Sequence, residues 1–132
     1  MIATEIAAEK VVLVGAETYG NRETFDVSLL ELASLAETAG ALVHETFTQK
    51  KERLDGKYVV GIGKLEEIKI TIEADDIDMV IFNEKLTPRQ NVNLETFLGI
   101  KVIDRMQLIL DIFALRARSH VGMLQVELAQ LK

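Results

Sequence analysis

The chain has 132 residues, 48% of them hydrophobic and 27% charged, which is enough for one domain with a sizeable core. It has no cysteine, which excludes a disulfide framework and thiol catalysis, and it shows neither a twenty-residue apolar span nor a basic signal-peptide start. Its net charge of −6 argues against indiscriminate nucleic-acid binding, and a soluble cytoplasmic protein without membrane attachment is expected.

Residues 1–8 read as a flexible N-terminus. Glu9-Lys-Val-Val-Leu-Val-Gly15 is a short apolar run closed by glycine, the form of a buried parallel strand. From Phe25 to Gly40, Leu29, Leu32, Leu35/Ala36 and Ala39 recur at helical spacing, and Gly40 supplies the stop. Ala41–Gln49 predicts a second strand, with His44 on a sheet face, and residues 50–57 a charged turn. Tyr58–Gly63 predicts a brief extended piece before an amphipathic helix over Lys64–Ala74, striped by Leu65, Ile68 and Ile72. Asp78–Phe82 is the third strong strand.

Thr87-Pro-Arg-Gln90 combines an N-cap threonine, proline at N1 and glutamine at N3, so a helix starts there and runs to about Leu98, before Gly99. Ile100–Ile103 is the fourth strand. Asp104 caps a long terminal helix with Gln107 at N3, and Leu108, Ile109, Ile112, Phe113 and Arg116 share one side. The Leu108–Phe113 face is expected to be core. Gly122 weakens the helix around it by about 1 kcal/mol relative to alanine. Leu124, Leu128 and Leu131 continue the apolar spacing and predict a partner-helix surface, for the rest of a longer chain or for a homodimer. No closing signal comes after Leu131, so the sequence is expected to be a piece of a longer protein.

Strand and helix alternate four times. This predicts an α/β fold: a four-stranded parallel sheet with helices on both faces, followed by the start of a long C-terminal helix of a helical subdomain. The α/β domain is placed at 9–118, and 119–132 begins a helical linker subdomain.

Candidate chemistry is sparse. Gly61-Ile-Gly63-Lys64 resembles a phosphate loop, since backbone amides ahead of a helix bind anions. It departs from G-x-x-x-x-G-K-[ST] at Tyr58 and Leu65, and a tight turn opening a helix is the favoured explanation. His44 and His120 lack metal-ligand spacing, so no metal site is predicted. The carboxylates Glu66/Glu67 and Asp75/Asp76/Asp78 read as solvated surface, and no serine has an adjacent base. Aromatics are 5% of the chain, too few for an extended base-stacking surface. Contact with folded RNA through phosphates needs few of them. Charge is uneven: residues 1–98 hold 10 Lys/Arg against 18 Asp/Glu, while 99–132 hold 5 against 3, including Arg105, Arg116 and Arg118.

Three segments carry a resemblance: Tyr58-Val-Val-Gly-Ile-Gly-Lys-Leu-Glu-Glu67, Leu86-Thr-Pro-Arg-Gln-Asn-Val-Asn-Leu-Glu95 and Val102–Leu131. Over roughly residues 9–132 the chain resembles the N-terminal domain of HflX-type GTPases. The resemblance implies a translation-associated protein that binds the large ribosomal subunit and its rRNA, and that splits stalled or idle ribosomes with GTP. It implies that this domain is followed by a helical pair and a G domain, where GTP and Mg²⁺ would bind. No catalytic residue and no cofactor is expected within these 132 residues. The expected RNA contacts are Lys64, Arg105, Arg116 and Arg118, with Lys50, Lys51 and Arg53 as a second patch. Gly61, Gly63 and Lys64 are weaker phosphate-loop candidates. The chain departs from the family pattern at Val92, Met106, Leu115, Ser119, Val121 and Met123, where the family carries Arg, Thr, Gln, Thr, Glu and Lys. A rival reading makes the domain an autonomous purine-nucleotide binder, with its crevice near Gly15–Glu17 and Asn83–Leu86. A third makes it a structural module.

Overall fold

The computed structural model describes residues 9–117. Its strands are β1 (Lys10–Glu17), β2 (Leu42–Lys50), β3 (Met79–Phe82) and β4 (Lys101–Asp104). Its helices are α1 (Phe25–Thr38), α2 (Ile62–Ala74), α3 (Pro88–Leu98) and α4 (residues 105–117). The strands form one parallel sheet in the order β2-β1-β3-β4. The expectations for residues 1–8 and 118–132 fall outside the described residues, among them those for Arg118, Leu124, Leu128, Leu131, Val121, Met123 and the homodimer edge.

The apolar runs of β1 and β3 are continuous because both strands are buried on both faces. Val11, Leu13, Met79 and Ile81 face one way and pack under Leu32 and Ala36 of α1 and Leu108 of α4. Val12, Val14, Val80 and Phe82 face the other way, under Leu65 and Ile68 of α2 and Leu94 and Leu98 of α3. Gly15 lets α1 approach β1: a Cβ there would lie 2.8 Å from Leu29 Cδ2 and 3.2 Å from the Phe25 ring. β2 is an edge strand and buries little beyond Phe47. Its pairing with β1 shifts between Val11/Val12, skipping His44. A bulge of this kind re-aims a side chain, and His44 Nε2 lies 3.0 Å from Asp75 Oδ2.

The start of α3 is as the sequence dictates. Thr87 and Gln90 form a reciprocal capping box, Pro88 occupies the first turn, and Gly99 closes the helix at φ 78°. The Asp104 carboxylate accepts from Gln107 N at 2.9 Å, opening α4.

Two expectations are corrected. Tyr58–Gly63 is not an extended piece. Val59 takes φ 70°, Val60 N–H donates to Tyr58 O at 2.7 Å, and Asp55 and Val59 exchange backbone hydrogen bonds. This is a γ-turn, and α2 begins two residues early, at Ile62. A β-branched residue at positive φ is strained; complete burial of the Val59 side chain holds it there. Nor is Phe113 core: it is 65% exposed, because α4 buries Leu108, Asp111 and, in part, Ile112. Asp111 can take the inward position because Gln107 Nε2 donates to it at 2.9 Å. Phe113, Met106 and Leu110 therefore line the outer side of α4.

Candidate functional site

Loops after the carboxyl ends of parallel strands are where open α/β sheets bind ligands, above all where neighbouring strands connect in opposite directions. In this sheet that point lies between β1 and β3, at the crevice named by Gly15–Glu17 and Asn83–Leu86. Hydrogen bonds from its own residues cross the crevice. Glu84 Oε1 accepts from Ala16 N at 2.5 Å, and Asn21 Nδ2 donates to Ala16 O at 2.9 Å. Leu86 N donates to Asp104 Oδ2 at 2.8 Å. The rival nucleotide reading gives its phosphate to the Gly61–Lys64 turn, where the Gly61 N–H is taken by Gln49 Oε1.

Burial pushes the Glu84 carboxyl above its ordinary value, opposed by the Ala16 N–H bond, and its second oxygen is buried without a hydrogen-bond partner. A carboxyl raised in the folded state binds more protons folded than unfolded, so its contribution to stability is present at low pH. It is lost as pH rises through the folded value. Urea unfolding as pH is raised from the ordinary glutamate range to neutrality is expected to show this decline, and Glu84→Gln should flatten it. An unchanged slope in the variant would remove Glu84 as its source.

Beside the crevice, the ends of β1 and β2 form a basic rim. Lys51 N–H donates to Glu17 O at 2.8 Å and ties the two strand ends together. The β1–α1 loop is folded on itself by Thr18 N to Asn21 Oδ1 at 2.8 Å and Thr24 N to Asn21 O at 3.1 Å. Between them lies a cavity of about 260 Å³ lined by Tyr19, Arg22, Lys50 and Lys51, with Glu17, Thr18 and Glu52. The next depression, lined by residues 49–56, adds Arg53. Among the described residues, Arg22, Lys50, Lys51 and Arg53 form no ion pair.

This turn is fastened to the body of the domain. Asp55 Oδ1 accepts from Tyr58 N and Lys57 N, each at 2.8 Å, and these bonds hold its carboxyl below the ordinary aspartate value. Gln90 Nε2 donates to Asp55 O at 3.2 Å, and Asn93 Nδ2 to Lys57 O at 3.3 Å, anchoring the turn on α3. Gln49 Oε1 accepts from Gly61 N at 2.8 Å. Asp55→Ala should cost about 1 kcal/mol in urea unfolding, the worth of ordinary hydrogen bonds at an exposed site.

The other predicted contacts are scattered. Lys64 pairs with Glu67 at 3.1 Å. Gly61 serves as N-cap of α2, with its N–H taken by Gln49, and Gly63 lies in the first turn in open space. Arg105 is turned inward: Nη1 donates to Ser28 O and Ser28 Oγ at 3.0 Å and to Asn83 Oδ1 at 3.2 Å, while Nη2 meets Glu31 at 2.6 Å. Arg116 lines a cleft between α1 and α4 with Leu35, Ile112 and Phe113. Val92 is exposed on α3 and Met106 on α4. The structure therefore gathers Lys50, Lys51 and Arg53, adding Tyr19 and Arg22, which sequence reasoning missed. Their signal was position, in the loop directly after the first strand of a parallel sheet.

Among the described residues, no group of three His, Cys, Asp or Glu side chains could hold a metal ion, and no helix is long and apolar enough to cross a membrane.

Residues 26–114 match the family described as GTP-binding GTPase N-terminal. The chain is 52% identical over 124 residues to a GTPase HflX of Alkalihalophilus pseudofirmus, covering 94% of this chain and 29% of that protein. It is 43% identical over 126 residues to GTPase HflX of Escherichia coli, covering 96% of this chain and 29% of that protein. Among solved structures, the SsGBP and GDP complex superposes with TM-score 0.63 at 29% identity, covering 93% of this chain and 34% of that one. The chain thus spans under a third of the length of the two HflX relatives.

Proposed function

This chain belongs to the HflX family of GTPases, as the counterpart of its N-terminal domain, and we propose that it is an RNA-contacting module carrying no catalysis of its own. Its partner is the large ribosomal subunit, met in the cytoplasm. GTP and Mg²⁺ belong to the G domain of the longer HflX proteins, which this domain couples to the ribosome. The coupled event is GTP-dependent splitting or rescue of ribosomes.

One observation carries the RNA contact. In a chain of net charge −6, Lys50, Lys51, Arg53 and Arg22 stand together on a rim braced by backbone hydrogen bonds, with no ion pair among the described residues. Cations held this way meet phosphates without first breaking internal ion pairs, and each contact releases condensed counterions. The shape of the rim is fixed by the sheet, which suits recognition of a folded RNA by its backbone. Co-sedimentation of the chain with purified large subunits at low and moderate salt tests the reading. Salt-sensitive pelleting supports it, and no pelleting at low salt overturns it.

A further inference from the structure

The basic rim contains one feature that a pure phosphate-binding surface does not need. Tyr19 is 80% exposed and lines the cavity between the ends of β1 and β2. No hydrogen bond or ring contact engages its side chain among the described residues. Exposing an aromatic ring of this size forgoes burial that a core position would reward. The loop that carries it is not slack, since Asn21 fixes both Thr18 N and Ala16 O. The ring is therefore presented by a braced loop beside three cations.

We infer that this cavity takes one unpaired nucleotide of an RNA strand, its base stacked on Tyr19 and its phosphodiester held by Arg22, Lys50 and Lys51. An aromatic platform combined with a cationic track is the usual chemistry for single-stranded nucleic acid. The volume argues for a small unit: about 260 Å³ lies below the roughly 300–1,000 Å³ of sites that enclose whole small molecules or coenzymes. Charge argues for a strand over a free nucleotide. Glu17 and Glu52 share the cavity with the three cations, so its net charge is +1. That balances one phosphodiester and leaves most of the charge of a nucleoside triphosphate uncompensated. The site is thus a reader of a base extruded from folded RNA, set within a surface that otherwise contacts backbone.

The inference rests on the RNA-contact reading above and sharpens it to a particular residue. The test is fluorescence anisotropy of the 132-residue chain with a labelled unstructured RNA oligonucleotide, with a duplex of equal length and GMP or GTP as competitors. Tyr19→Ala is expected to weaken oligonucleotide binding about tenfold, within the range for loss of one stacked base, and Tyr19→Trp to retain it. Because Tyr19 is exposed, both variants should melt with the parent chain. Equal affinity of parent and Tyr19→Ala would overturn the inference, as would a duplex or a free nucleotide competing as well as the single strand.

The two readings fail separately. Salt-sensitive pelleting with large subunits, combined with oligonucleotide binding indifferent to Tyr19, keeps the ribosomal reading and removes this one. Tyr19-dependent oligonucleotide binding without pelleting does the reverse.

Discussion

If the proposed RNA contact holds, reversing Lys50, Lys51 and Arg53 together to glutamate is expected to abolish salt-sensitive pelleting of this chain with large ribosomal subunits. Three phosphate contacts account for about 2–3 units in the slope of log affinity against log salt, or roughly 40-fold between 50 and 200 mM. Reversal adds repulsion to that loss. The fold should tolerate the change, because what braces the rim is main-chain: Lys51 N to Glu17 O, and the paired bonds between Asp55 and Val59. Surface substitutions of this kind usually shift stability by under about 0.5 kcal/mol each. Sedimentation across a salt series, with a thermal melt as control, measures both halves. Undiminished affinity in a folded triple variant would place the binding determinants elsewhere on this chain.

Arg105→Ala is expected to cost about 2–3 kcal/mol in urea unfolding while leaving the salt slope of subunit binding unchanged. The guanidinium joins three pieces of chain: α1 through Ser28 and Glu31, the end of β3 through Asn83, and α4 on which it sits. Removing it takes a charged donor from the Ser28 carbonyl and hydroxyl and from the Asn83 amide oxygen, although Ser28 and Asn83 keep their bonds to each other. Hydrogen bonds to a charged group are worth about 1.5–3 kcal/mol. Arg105→Lys should recover only part, since an ammonium cannot reproduce the planar fork. Glu31 separates the sources. Its side chain is 58% exposed, and an ion pair so open to water contributes little. Glu31→Ala should therefore cost under about 0.5 kcal/mol. If the two alanine variants destabilise equally, the ion pair and not the buried fork carries the effect. If Arg105→Ala lowers the salt slope by about one unit, the arginine is a phosphate contact after all.

What the sequence disclosed depended on how local each interaction is. The capping box of Thr87 and Gln90 lies within four residues, and the β1 and β3 runs state their own burial, so these elements were legible. The γ-turn at Val59 was not. Nothing in Tyr-Val-Val says that the middle residue adopts φ 70°; that conformation is imposed by Asp55 and by the core over it. Phe113 shows the limit of periodicity. Spacing reveals that α4 has an apolar arc, whereas the Gln107–Asp111 bond decides which part of the helix turns inward. Arg105 read as a surface cation because its partners lie 77, 22 and 74 residues away. For the same reason Tyr19 and Arg22 stayed hidden. They meet Lys50 and Lys51 only because β1 and β2 pair in parallel and end together, Glu17 opposite Lys50. The family resemblance was readable because it lies in contiguous wording, and comparison with known proteins supports it.

The strand order has a consequence for how the chain assembles during its own synthesis. β1 emerges first, and β2 can dock on one side of it as soon as residue 50 is free. β3 then adds to the open side of β1, and β4 to the open side of β3. Every newcomer extends an existing border, and no pair already made has to be parted to admit a later strand. Domains generally fold as units during synthesis, and within this unit the order lets each strand be added to finished work.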